Sequence, residues 1–191
     1  MFGSIISYRT PIPKFGWKFW KRFTNYQWLQ RTFTGKPETH CAIYVGNLHR
    51  LETEIVYDAG LSVRFDYWGF NHNYHTVYQI GVDERELKKI IDSLMYEYNG
   101  TIYGMFQLPY FVIRWIFGPL FDTRRWWFPL RTGKICSELI WEYLYRIGKK
   151  QNWQDLLDYL NQWNPNNFHA GDCREVLDKF TGIYFNKIKG Y

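Results

Sequence analysis

From residue 39 to about residue 80, short runs dominated by β-branched and aromatic residues are punctuated by Gly and Asn, the pattern of strands. Strands are predicted at 39–46, about 52–59, about 61–68 and about 74–80, with a weaker one at SIISY, 4–8. After residue 82 the period lengthens. Leu87, Ile90, Ile91, Leu94 and Tyr98 recur at helical spacing behind Asp83 and Glu86, a D-x-x-E capping box. ICSELIWEYLYRIG, 135–148, predicts a second helix, with Ile135, Leu139, Tyr143 and Ile147 on its stripe and Gly148 as its stop. Shorter helices are predicted at 152–163 and at 172–180, the latter opened by an Asp172/Glu175 capping box. Two segments are less regular: 13–36, a helix or helical loop ended by Gly35-Lys36-Pro37, and 103–117, a helix bent near Pro109. Strands first and helices after predict an α+β fold, a meander-like antiparallel sheet packed against helices. No repeat or linker interrupts the pattern, and 191 residues suit one domain spanning 1–191.

Composition adds a surface to this outline. Aromatic residues make up 21% of the chain and the net charge is +6. Met1 to Pro37 holds no Asp or Glu, yet carries Arg9, Lys14, Lys18, Lys21, Arg22, Arg31 and Lys36. RWIFGPLFDTRRWWFPLRTGK, 114–134, is a second basic-aromatic stretch. Such surfaces suit polyanions, including an anionic membrane or wall polymer. They equally suit a solvated face whose aromatic stems pack beneath it. Nucleic acid is permitted by the charge alone, since no recognised module accompanies it. No phosphate cradle of the P-loop or GxGxxG kind occurs. The terminus MFGSIISYRTP has no signal-peptide pattern. The most apolar run, 105–121, contains Pro109, Arg114 and Pro119, which suits a buried or interfacial helix better than a membrane span. The expectation is synthesis in the cytoplasm, with lysis or a virus particle as routes of delivery.

Three widely spaced cysteines, without a CxxC, indicate neither a zinc site nor a disulfide framework. Reduced thiols are expected, with no metal or cofactor. THCAIYVG, 39–46, sets His40 beside Cys41, but neighbours on a strand face opposite sides and cannot meet. Cys41 then reads as a small core residue beside Ile43 and Val45. His40 needs a thiol from elsewhere. Cys136 falls in the first turn of a predicted helix, after Lys134, where unpaired N–H groups favour a thiolate and could hold an oxyanion. A histidine base with such a thiol is the minimum equipment for acyl transfer through a thioester. A core cysteine at a helix start is the plainer alternative. Cys173 reads as structural, because Asp172, taken as an N-cap, opposes its ionisation.

A third group should orient the imidazole. If the turn NLHRL, 47–51, centres on His49, position 46 pairs with 52, 44 with 54, 42 with 56 and His40 with Asp58. Glu52 and Glu54 share that facing, and a two-residue slip spoils the Asp58 pairing, so Glu54 remains the alternative. His49, His72 and His75 lie in or near predicted turns and show no metal-ligand spacing.

GSII (3–6), THCAIYVG, IVYDAG (55–60) and ICSELIWEYL (135–144) together resemble the circularly permuted NlpC-type branch of the papain-like cysteine hydrolases, YiiX/YebB-like proteins with lecithin:retinol acyltransferase as a cousin. NGTIYGMF (99–106) and FHAGDCREV (168–176) are similar to the segments before and after the cysteine helix in that branch. The resemblance implies a permuted papain-like fold and a Cys136 nucleophile. It also implies a His40 base and Asp58 as the orienting acid, in the permuted order histidine, acid, cysteine. It implies hydrolysis of an amide or ester: peptidoglycan stem peptide, another peptide or an acyl lipid. A fold-retaining binding protein that uses its basic-aromatic surfaces is the alternative.

Overall fold

A computed structural model describes residues 2–9, 36–46, 49–54, 62–67, 75–101, 113, 116–117, 120–122, 124–125 and 136–189. The predicted segment 13–36 lies outside the described residues except at its last position, and 103–117 falls outside them except for residues 113, 116 and 117.

Six strands form one antiparallel sheet: β1 Ile5–Arg9, β2 Glu38–Gly46, β3 His49–Glu54, β4 Ser62–Tyr67, β5 His75–Ile80 and β6 Phe185–Lys189. Their order is β4-β3-β2-β1-β5-β6. The α+β expectation holds, and the sixth strand comes from the end of the chain, where no strand was predicted. Four helices are described: α1 Glu84–Tyr98, α2 Cys136–Gln151, α3 Gln154–Leu160 and α4 Ala170–Lys179. A short 3₁₀ turn at Pro165–Asn167 precedes α4. Among the described residues no helix is long and apolar enough to cross a membrane.

Alternation sorts the central strands. Ile5, Cys41, Ile43, Tyr78 and Ile80 join the helix side chains Leu87, Ile91, Leu139, Tyr143, Ile147 and Val176 in one core. On the other face Ile6 and Val77 are buried among Tyr8, Tyr44 and Ile188. Each fully buried Leu or Ile removes enough apolar surface to contribute about 1.5–3 kcal/mol. Two polar anchors fix helix α2 within this core. Tyr143 donates to the Gly3 carbonyl at 2.9 Å, and Ser137 to the Phe168 carbonyl at 2.5 Å.

Three local expectations are corrected. Gly148 does not stop α2. It is buried against Leu157, 3.0 Å from where a Cβ would stand, and serves close packing of α3 on α2. The stop falls at Asn152, which adopts φ 56° while Trp153 N–H bonds the Gly148 carbonyl at 2.9 Å, a Schellman closure. Asp172 is not the N-cap of α4. His169 is, accepting from Gly171 and Asp172 N–H at Nδ1, while Asp172 accepts the His169 N–H in return. An imidazole accepting there carries no proton on Nδ1, so its 3.4 Å approach to Asp172 is not an ion pair. Asp83 does cap α1, but Glu86 turns away to Gln151 on α2.

A polar clamp joins α4 to the sheet. Burial alone would raise the Asp178 carboxyl, but hydrogen bonds from Lys187, Arg174 and Tyr78 hold it at about 2. An unfolded Asp titrates near about 3.9, so the clamp is complete above about pH 4 and fades as pH falls toward 2. Asp178→Asn is expected to flatten the acid limb of the stability–pH curve over that window, read by denaturant titration. Gly3 has φ 76°, and an added Cβ would stand 2.7 Å from Leu87 Cδ1 and 2.8 Å from the Tyr143 hydroxyl. Gly3→Ala is expected to cost about 1–3 kcal/mol in unfolding free energy.

Candidate active site

Residues before His40 are tied to α4. Lys36 Nζ reaches Asp172 at 3.2 Å and Glu175 at 2.7 Å. Burial alone would lower the Lys36 ammonium, and the two carboxylates override it and raise it. Buried Glu38 accepts from Arg9 at 3.0 Å and lies 3.8 Å from Arg174. Arg174 also donates to Thr76 at 3.0 Å and Asp178 at 2.6 Å. Strand β2 therefore enters the sheet already clamped.

Pairing between β1 and β2 then shifts register. Tyr8 stands opposite His40 and Arg9 opposite Glu38, which leaves Thr39 as an extra residue on β2. Such a bulge re-aims the side chains around it. The half-buried His40 ring lies 5.4 Å from the Tyr8 ring.

Pairing on the other side of β2 explains what His40 faces. Tyr44 donates its N–H to Ser4 on β1, so by alternation the Cys41 N–H points toward β3. The β2–β3 ladder begins only at Ala42 opposite Glu52. The Cys41 N–H is thus left outside the ladder, near Cys136, the first residue of α2, whose thiol it helps pull down. The Cys41 thiol and the His40 imidazole both lie close enough to Cys136 to act on its thiol. Strand alternation does keep His40 and Cys41 apart, but it does not keep either from a third group at the strand edge.

Charge follows from this geometry. The Cys41 hydrogen bond pulls the Cys136 thiol down, burial pushes it up, and the His40 charge and hydrogen bond pull it down further. The net position is well below the usual range. Cys41 goes the other way, chiefly because burial disfavours its ionised form. Of the two thiols, Cys136 is the one whose ionised form this setting favours. Cys136 is 1% exposed and Cys41 fully buried. Cys173 adds to the rise of the Cys41 thiol, and all three cysteines are free. Among the described residues no three His, Cys, Asp or Glu side chains are disposed to hold a metal ion.

The hairpin register is corrected. Ala42 pairs with Glu52, Ile43 with Leu51 and Tyr44 with Arg50, four residues from the expected pairing of 42 with 56. Only Asn47 and Leu48 separate the two strands, after Gly46 at φ 84°. The polar run NLHRL suggested a wide turn, but His49 to Leu51 belong to β3. The ladder ends at Ala42, so His40 has no partner residue on β3. Asp58 lies outside the described residues, as does Lys134. The role of Cys41 was missed, because alternation assigns it to the core and the end of a ladder leaves no mark in the sequence.

Comparison with protein-family models, with curated proteins and with solved structures gave no match.

The lowered Cys136 position has a direct consequence. A group ionised above a depressed pKa keeps its thiolate as pH falls below the ordinary cysteine value of about 8.5. Alkylation of Cys136 is expected to hold its rate through neutral pH and to fall only at a lower midpoint. His40→Gln is expected to move that midpoint up toward about 8.5, measured by pH-dependent labelling and peptide mass spectrometry.

Proposed function

We infer that this chain is a cysteine hydrolase cleaving an amide or ester bond through a thioester acyl-enzyme, on a circularly permuted NlpC-type papain-like fold. The observation that carries this reading is the closeness of His40 to the Cys136 thiol at a helix start, where the imidazole helps pull that thiol below its usual range. The order of strands and helices supports the fold: a histidine on a central strand, then the cysteine at the head of a helix packed on that strand.

The chemistry runs as follows. The Cys136 thiolate attacks the substrate carbonyl carbon, and N–H groups near the start of α2 receive the charge on oxygen. The C–N or C–O bond breaks as His40 gives its proton to the departing amine or alcohol. His40 then takes a proton from water, whose oxygen attacks the thioester and releases the acid and the thiolate. Glu54 or Asp58 orients the ring. A peptide, a peptidoglycan stem peptide or an acyl lipid is the substrate class.

A second reading, a binding protein that retains the fold, has its own observation. Ile116, Phe117, Leu120 and Phe121 are exposed large apolar side chains, close in sequence to Arg124 and Arg125. That combination suits an anionic membrane or wall.

Cys136→Ala is expected to abolish both turnover and labelling by a thiol-reactive acyl probe, with Cys173→Ala retaining them. Equal labelling of the Cys136 variant would remove this sulfur from the mechanism. Absence of turnover, together with vesicle or cell-wall pelleting unchanged by Cys136→Ala, would favour the binding reading. Glu54→Gln and Asp58→Asn separate the two acids: the orienting residue is the one whose loss lowers kcat by about 10²-fold or more.

A further inference from the structure

Among the described residues six large apolar side chains are exposed, and four of them, Ile116, Phe117, Leu120 and Phe121, lie within six consecutive positions. Apolar side chains exposed singly are ordinary, whereas a contiguous group marks a binding surface. Leu120 and Phe121 are the most open of the four, at 72% and 58%. A turn groups them: the N–H groups of Leu120 and Phe121 both bond the Phe117 carbonyl at 2.9 Å. Residues three and four apart in such a turn share a side, so Phe117, Leu120 and Phe121 meet solvent together. Ile116 stands four positions before Leu120 and extends the same side.

The turn is tied to the body of the domain. Asp122 accepts from Arg124 Nε and Nη2, each at 2.8 Å, and from the Arg124 N–H at 3.1 Å. Arg124 Nη1 donates to Gln162 at 3.3 Å, and the guanidinium lies 5.7 Å from the Trp163 ring centre. The Asn164 N–H bonds the Arg124 carbonyl at 2.8 Å. The apolar side chains are thus held outward before a partner arrives, and docking has little chain to order.

Charge selects the partner. From Tyr98 to Ser137 the sequence carries one acid, Asp122, against Arg114, Arg124, Arg125, Arg131 and Lys134. Arg124 neutralises Asp122, and Arg125 beside them is exposed. An apolar group with positive charge at its rim fits an anionic surface that turns apolar just beneath. A wall polymer offers the charge but no hydrocarbon for Ile116 and Leu120. A lipid bilayer offers both.

We propose that Ile116, Phe117, Leu120 and Phe121 dock the protein on an anionic lipid bilayer, entering the acyl boundary while Arg125 meets the charged headgroups. This deepens the binding reading by naming its partner, and it does not require that Cys136 be inert.

The experiment floats the full chain with vesicles of phosphatidylcholine alone and with vesicles of three parts phosphatidylcholine to one part phosphatidylserine. Wild-type protein is expected to float with the anionic vesicles and less with the neutral ones. High salt is expected to weaken the binding without abolishing it, because screening removes only the share due to charge. Leu120→Ser and Phe121→Ser are each expected to lower the partition coefficient about tenfold, and Arg125→Gln about fivefold. Ile183→Ser, at an exposed apolar position outside the group, is expected to bind as wild type does. All of these side chains are exposed, so the substitutions spare the core, and an unchanged unfolding midpoint checks it. Wild-type protein that floats with neither vesicle overturns the proposal, and so does flotation that Leu120→Ser and Phe121→Ser leave unchanged. Self-association or cell-wall pelleting that those variants lose, without flotation, gives the surface to a second copy or a wall polymer and overturns it as well. Turnover is scored on the same samples. Flotation without turnover leaves the docking standing and removes the hydrolase, whereas turnover without flotation removes the docking alone.

Discussion

Everything chemical in this structure depends on where the β2–β3 ladder ends. Because pairing starts at Ala42, the Cys41 N–H stands outside the ladder, and the head of α2 brings Cys136 near it. The Cys41 backbone and thiol and the His40 imidazole all act on the Cys136 thiol. Extending the ladder by one more residue pair would give that N–H to a carbonyl and exclude the sulfur from the strand edge.

Placing two residues 96 positions apart (136 − 40) against each other demands a rigid frame. It comes mostly from apolar burial along α1, α2 and α4, with polar ties at the points where position matters. Tyr143 and Ser137 hold α2 by its side to Gly3 and Phe168. Lys36 and Glu38 hold the entry of β2 to α4 and to Arg9. Each neutral tie adds only about 1 kcal/mol, so their value lies in direction rather than strength. The bulge at Thr39 falls just after these clamps, and there the constrained strand can turn the His40 ring out of strict alternation.

Misreadings of the sequence share one cause. The same residue type serves different purposes, and local pattern cannot choose between them. Gly148 has the look of a helix stop, yet its lack of a Cβ is used to seat Leu157. Asp172 has the look of an N-cap, yet it is the third residue of the helix and His169 takes the cap. The polar run after Gly46 has the look of a wide turn, yet only two residues separate β2 from β3. That last difference moves the residue opposite Ala42 from Val56 to Glu52.

Period and composition were enough for the coarse architecture, since two-residue and helical repeats report which side of an element is buried without reference to any partner. Thus β2, β4, β5, α1 and α2 were legible, and so was Cys136 as a thiol at a helix start. Register, the end of a ladder and the closeness of Cys41 and His40 to Cys136 were not legible. Each depends on which backbone groups remain unpaired once distant segments have packed, and no residue carries that information alone.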